Sequence, residues 1–270
     1  MKRLLLLIEG ILMILFTILD LTQISKLFPI SNAAKYMGIL YCVLFVAICL
    51  LHPQIRRRYS MEPSSRTDAS LTLAALCFTA MADWFLVILN RHNLVGVGLF
   101  IPVQLLYLAR LLLAQKSVYG TKSMIKALLL SVLIRLILIA VVWTFLYRFG
   151  LWEMLNLEVF FYFTNLVSNM VQSFLLYASF RSRIESDREI PRRRIFLLSF
   201  GLLLFTGCDV SVGLWNIPGV VNSLSGAGYL LLTLAMWTFY LPSQVLITLS
   251  AFPPERNDGR NTIPTGRKRL

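Results

Sequence analysis

The chain has 270 residues, 57% of them hydrophobic and only 14% charged, with a mean hydropathy of +0.73 and a formal net charge of +13. Soluble domains carry about a quarter charged residues, and disordered chains combine low hydrophobicity with high charge, so both classes are excluded. The basic residues lie between apolar runs, which points to membrane topology and away from nucleic acid as a partner.

The first run, MKRLLLLIEGILMILFTILD, has the outline of a signal peptide. Glu9 interrupts its apolar region and no small-residue cleavage site follows, so it reads as a retained first helix. A membrane-spanning helix takes about 17–25 mostly apolar residues. Eight runs qualify, over about 4–21, 30–51, 69–89, 94–114, 124–147, 155–180, 195–214 and 222–251. The breaks between them carry charge or turn residues: HPQIRRRYSMEPSSRTD, NRHN, QKSVYGTK, RSRIESDREIPRRR and NIPG. The short breaks make hairpins of spans three and four and of spans seven and eight. Residues 1–252 thus form one transmembrane domain, and 253–270 read as a flexible basic cytoplasmic tail.

With the N-terminus inside, most of the 26 Lys and Arg residues fall on the inner side, in both terminal segments and in the loops after spans two, four and six. Only Lys26, Lys35, Arg91 and Arg148 fall outside, and Arg135 lies within a span. Eight helices with both termini cytoplasmic satisfy the positive-inside rule, and seven do not. The expected location is a multi-pass position in a bacterial cytoplasmic membrane, with membrane lipids as neighbours of the basic loops.

No local motif supports nucleotide or serine-hydrolase chemistry, since there is no P-loop, no GxGxxG after a strand and no GxSxG. The four cysteines, Cys42, Cys49, Cys77 and Cys208, form no CxxC pair, and the two histidines, His52 and His92, fall at segment ends. No metal site and no cofactor is therefore expected. A retinal-type Schiff base needs a lysine in a late span, and none occurs between Lys126 and Lys268.

Charges inside the spans carry the functional signal, because each costs about 2.5–3.5 kcal/mol at mid-bilayer even on the lenient insertion scale. They are Glu9, Asp83, Arg135, Glu158 and Asp209. Arg135 is expected to pair with Glu158 or with one of the aspartates. Asp83 and Asp209 match each other. Each is followed seven residues later by an asparagine, Asn90 or Asn216, and each stands about 20 Å from the inner end of its span at 1.5 Å per residue. The next spans carry PVQLL (Pro102, Gln104, Leu106) and PSQVL (Pro242, Gln244, Leu246). The chain thus reads as two four-helix halves, 1–120 and 121–252, in parallel repeat about an axis along the membrane normal, with the two aspartates meeting near the middle. Gln104 is level with the aspartates, whereas Gln244 lies nearer the inner end.

LCFTAMADWFLVILNRHNLVGVGLFIPVQLLYLARLL resembles the signature region of the YhhN-like, or lysoplasmalogenase, membrane family, and LLFTGCDVSVGLWN with FYLPSQVLITLS is similar to its second signature, in which Tyr240, Gln244, Leu246 and Ile247 stand at the matching positions. Weaker likeness extends to Lys35 in the second span and to YFTNLVSNM in the sixth, with Tyr162, Asn165 and Met170. Four positions depart from the family pattern: Tyr36 follows Lys35 in place of Pro, Ala82 replaces Gly, Cys208 replaces Ser, and Gln104 stands where His is frequent.

The resemblance implies an eight-helix protein that hydrolyses the vinyl-ether bond of 1-alkenyl lysophospholipids to a fatty aldehyde and a glycerophospho-alcohol. That chemistry suits two carboxyls. One, kept protonated by apolar surroundings and a like-charged neighbour, protonates the β-carbon; the other, ionised, stabilises the oxocarbenium ion and takes a proton from water. Asp83 and Asp209 are the expected pair. Gln104, Tyr107 and Tyr240 are expected to orient water and the glycerol hydroxyl, with Asn165 and Gln244 as further substrate-binding positions. Lys35, near the outer interface, is expected to hold the phosphate as a point charge. Two rival readings stand beside this one. Paired intramembrane aspartates also suit a proton-coupled transporter of a small molecule or lipid, and a non-catalytic lipid- or partner-binding protein needs neither aspartate.

Overall fold

The computed structural model describes residues 1–22, 28–59, 61–150, 153–181, 189–216 and 226–253. All regular structure among them is helical: α1 Lys2–Leu21, α2 Phe28–Leu51, a short α3 Pro53–Arg58, α4 Pro63–Asp83, α5 Asn93–Tyr119, α6 Thr121–Phe149, α7 Met154–Arg181, α8 Glu189–Trp215 and α9 Gly226–Ser250. Eight of these, all but α3, are long and apolar enough to cross a membrane. The basic tail expected over 253–270 lies outside the described residues from 254 onward.

The helix ends follow local chemistry. Pro53 and Pro63 begin α3 and α4, where a missing N–H costs nothing and a fixed φ is already helical. Gly150, at φ +66, closes α6 in the left-handed conformation, and its N–H bonds to the Leu146 carbonyl. Two spans start six residues earlier than their hydropathy indicates, at Pro63 instead of 69 and at Glu189 instead of 195. Hydropathy marks the hydrocarbon layer, whereas a helix continues through polar turns into the interface. Asp83 and Asp209 consequently stand equally far along their helices, each about 30 Å from its start at 1.5 Å per residue.

Seven spanning helices pack in a closed order, α1 on α2, α2 on α4, α4 on α5, α5 on α7, α7 on α8, α8 on α9 and α9 back on α1, with α2 also touching α9. The remaining span, α6, rests mainly against α5 and α7. It leaves Leu129, Leu133, Leu136, Ile137 and Val141 exposed, as a lipid-facing helix does. The tightest pairing is that of α8 and α9, made possible by Gly201. A Cβ there falls 2.8 Å from Ile247 Cγ1 and 3.1 Å from the Ser243 carbonyl oxygen, so only glycine admits this approach. Gly201→Val is expected to cost about 1–3 kcal/mol, read as a lower unfolding midpoint in detergent.

One end of the bundle carries both termini of the described fold. The Lys2 ammonium donates to the Pro253 carbonyl at 2.9 Å and lies 4.9 Å from the Tyr59 ring. At the same end Asp68 of α4 accepts from Arg110 of α5 at 2.7 Å and from Arg194 of α8 at 2.5 Å. Arg110 also donates to Ser250 Oγ at 2.9 Å, and Arg194 to the Ser250 carbonyl at 2.9 Å. One carboxylate therefore gathers two guanidinium groups and ties α4, α5 and α8, and the arginines add α9 through Ser250.

Candidate active site

Asp83 is the last residue of α4 before a π-helical turn, Trp84–Ile88, whose wider backbone closes with the Leu89 N–H on the Trp84 carbonyl at 2.9 Å. Such turns interrupt the regular side-chain register and recur at functional sites. The hairpin then reverses through Asn90 and His92, both at positive φ. Asp83 is 5% exposed, and its Oδ2 accepts from the Tyr240 hydroxyl of α9 at 2.5 Å. Asp209, partly buried on α8, accepts from the Tyr162 hydroxyl of α7. The two carboxyls lie within electrostatic reach of each other, and Cys208 is within reach of both.

Aromatic rings join the two Tyr–Asp pairs. Phe100 stacks on Tyr162 at 5.3 Å and meets Phe205 edge-on at 5.8 Å; Phe205 in turn meets Tyr240 at 5.8 Å. Trp237 closes the other side of Tyr240 at 5.6 Å. Rings in these edge and stacked contacts fix one another's orientation. Each hydroxyl is thereby held on its carboxylate by a ring that has little freedom to turn.

Lys35, expected near the outer interface, lies beside Asp20 at the end of α1, where its charge has a protein partner. It is 4% exposed and forms an ion pair with Asp20 of α1 at 2.7 Å. Ser31 donates to the other oxygen of Asp20 at 2.5 Å. The ammonium also lies 4.6 Å from the Trp237 ring and 5.6 Å from Phe16. Its charge is thus met inside the protein, by a carboxylate and two aromatic faces. Asp20 is a partner that the sequence did not single out, because it stands near a span end where a carboxylate normally reaches interface water.

Arg135 has neutral partners in place of the expected acid. Its guanidinium donates to Asn165 Oδ1 and Asn169 Oδ1, both at 2.8 Å, and to Ser131. α6 packs mainly on α5 and α7, whereas the aspartates stand on α4 and α8. Asn165 is committed to Arg135 and to the Phe161 carbonyl. Asn169 reaches across to α5, donating to the Gln104 carbonyl at 2.8 Å and to Gln104 Oε1 at 3.1 Å.

Gln104 and Tyr107 are fully buried on one face of α5. Gln104 Nε2 has no hydrogen-bond partner among the described residues. The Tyr107 hydroxyl stands beside that of Thr79, whose proton is given to the Ala75 carbonyl, and makes no well-formed bond itself. Gln244, also fully buried and one turn past Tyr240, donates to Ser243 Oγ at 3.2 Å. The structure thus gathers Asp83, Asp209, Tyr240 and Tyr162, sets Gln104 and Tyr107 one helix away, and gives Lys35, Asn165 and Gln244 other partners. An apolar groove of about 500 Å³ opens on α7, lined by Met170, Val171, Phe174, Leu175, Tyr177 and Ala178.

Residues 30–251 match the model of the YhhN family. No curated protein and no solved structure matches the chain.

Proposed function

The chain belongs to the YhhN family, and from that premise we propose that it is a lysoplasmalogenase-like hydrolase of 1-alkenyl lysophospholipids, with Asp83 and Asp209 as its acid and base. The observation that carries the reading is the pair of carboxyls inside a membrane-spanning bundle, each held by one tyrosine hydroxyl and joined through the rings of Phe100 and Phe205. The tyrosine occupies one oxygen of each carboxyl, and the second is available for chemistry.

The steps balance with water as the only co-reactant. The protonated aspartate gives its proton to the β-carbon of the vinyl ether, and the double bond becomes an oxocarbenium ion. The ionised aspartate stabilises that cation and takes a proton from water as the water oxygen bonds to C1. The hemiacetal then collapses to the fatty aldehyde and the free glycerol hydroxyl. The proton has moved from one aspartate to the other, and the pair is ready again once it is shared back. Gln104 and Tyr107 orient the water. The apolar groove on α7 suits an alkenyl chain.

The same reading places both termini in the cytoplasm, in a bacterial cytoplasmic membrane, with α1–α5 and α6–α9 as parallel halves. Two observations support it. Both termini of the described fold lie at one end, with Arg110 and Arg194. The packing is also equivalent in the two halves: α1 touches α2 and α9 as α6 touches α7 and α5, and α2 touches α4 and α9 as α7 touches α8 and α5.

The test is aldehyde release by purified protein in detergent from 1-alkenyl lysophosphatidylcholine and lysophosphatidylethanolamine, beside their 1-alkyl ethers, which lack the double bond. Aldehyde from the alkenyl lipids alone is expected. Silence on both, with proton-linked uptake of solute or lipid into vesicles, replaces the hydrolase with a carrier.

A further inference from the structure

One short stretch of α2 reaches Asp83 in two ways. The first is a run of direct contacts ending at its carboxyl. Trp237 and Tyr240 stand three residues apart on α9 and so share a face, with their rings edge-on at 5.6 Å and 86°. The Tyr240 hydroxyl donates to Asp83 Oδ2. The same Trp237 ring meets Phe16 of α1 at 6.4 Å, and the Lys35 ammonium lies 4.6 Å from its centroid. Lysine has a flexible stem, but here its end is fixed. Asp20 pairs with it at 2.7 Å, and Ser31, one turn before Lys35, donates to the other oxygen of Asp20. The second way is through the backbone. Tyr36, next to Lys35, meets the ring of Trp84, the residue after Asp83, at 5.7 Å. Asn32, one turn earlier, donates from Nδ2 to the Val87 carbonyl of the π-helical turn at 3.4 Å. Residues 31–36 of α2 thus reach the Asp83 carboxyl through Tyr240 and the Asp83 backbone through the turn that follows it.

A cation over an indole face is attracted by the ring quadrupole, most strongly where water is excluded, and Lys35 is 4% exposed. The edge contact between the two rings then passes the orientation of Trp237 to Tyr240. A buried ion pair is a poor source of stability by itself, since well-packed apolar side chains of similar volume stabilise as much or more. What this pair supplies is a fixed point for a ring. We propose that Asp20, Lys35 and Trp237 are positioning residues for the Tyr240–Asp83 hydrogen bond, so that the first turns of α2 set the aim of one carboxyl of the aspartate pair. The proposal rests on the hydrolase reading only for its effect on rate, which falls about 100-fold when a reacting group is misplaced by about 1 Å. Lys35 acts there through Trp237 and Tyr240, with its own charge already met by Asp20.

The test needs folded protein without the fixed point, and the double variant Asp20→Asn with Lys35→Met supplies it by removing both charges together. Its kcat is expected to fall about 10–100-fold with KM unchanged, even where the unfolding midpoint is regained. Trp237→Leu keeps the ion pair but breaks its contact with Tyr240, and a similar loss of kcat is expected. A readout independent of turnover is the ¹³Cζ shift of labelled tyrosine, with Tyr240 assigned by the signal lost in Tyr240→Phe. In the double variant that shift is expected to move toward the value of a freely hydrated phenol. An unmoved shift in the folded double variant overturns the proposal whatever its rate, and so does a wild-type kcat in Trp237→Leu. A raised KM with unchanged kcat in the double variant overturns it in favour of a lysine that meets substrate phosphate. Where the wild type releases no aldehyde, the hydrolase reading fails and the shift alone decides: a moved Tyr240 signal keeps the positioning role, and an unmoved one removes it.

Discussion

Asp83→Asn and Asp209→Asn are each expected to lower aldehyde release by about 10²–10⁴-fold, the range that a positioned general acid or base contributes. The amide is nearly the same size as the carboxyl and still accepts the hydrogen bond from Tyr240 or Tyr162, so the bundle is expected to keep its unfolding midpoint. What is lost is the transferable proton in one variant and the negative charge opposite the oxocarbenium ion in the other. Because the pair acts as a unit, the double variant is expected to be little worse than the weaker single one. Tyr240→Phe leaves Asp83 ionisable but frees its orientation, and a smaller loss is expected. The measurement is initial-rate kinetics on folded, purified variants. Equal activity of both aspartate variants and the wild type places the chemistry elsewhere in the bundle.

The second large effect is on stability. Lys35→Met is expected to destabilise the protein by about 3–5 kcal/mol, because it leaves Asp20, 3% exposed, as a buried charge without its partner. It also removes the cation from the faces of Trp237 and Phe16. The double variant Asp20→Asn with Lys35→Met removes both charges and is expected to regain most of the loss. Thermal unfolding of the four proteins in detergent, treated as a double-mutant cycle, gives the coupling directly. A lysine that instead holds the substrate phosphate produces another pattern: a raised KM for Lys35→Met, an unchanged midpoint and no coupling to Asp20.

The spans were legible because hydropathy reports the hydrocarbon layer. Their ends were not, since Arg66, Asp68, Arg192, Arg193 and Arg194 are helical but polar. Asp83 and Asp209 stood out as charges where charge is costly, and the asparagine seven residues after each marked them as a matched pair. Their hydroxyl partners were harder to find: Tyr240 is 157 residues from Asp83 in the chain, and Tyr162 is 47 from Asp209. Only the closed helix order brings them together. Tyrosine, moreover, is common in spans and carries no charge to mark it. Arg135 shows the limit of pairing by sign. Two asparagine oxygens one helix away meet its donors in place of an acid. Asp20 was concealed by its place near a span end, and the π-helical turn after Asp83 has no signature in WFLVI. The Asp68–Arg110–Arg194 cluster was present in the charge pattern only as topology, because positive-inside counting treats each basic residue as solvated.

The central claim is that a carboxylic acid of this bundle protonates the β-carbon of a vinyl ether. Hydrolysis of 1-alkenyl lysophospholipid by the wild-type protein in D₂O, with the aldehyde trapped by reduction as it forms, tests it most directly. The account requires one deuterium at C2 of the trapped product, at a rate that collapses in Asp83→Asn and Asp209→Asn. Product without deuterium at C2, or no product from folded protein, contradicts it.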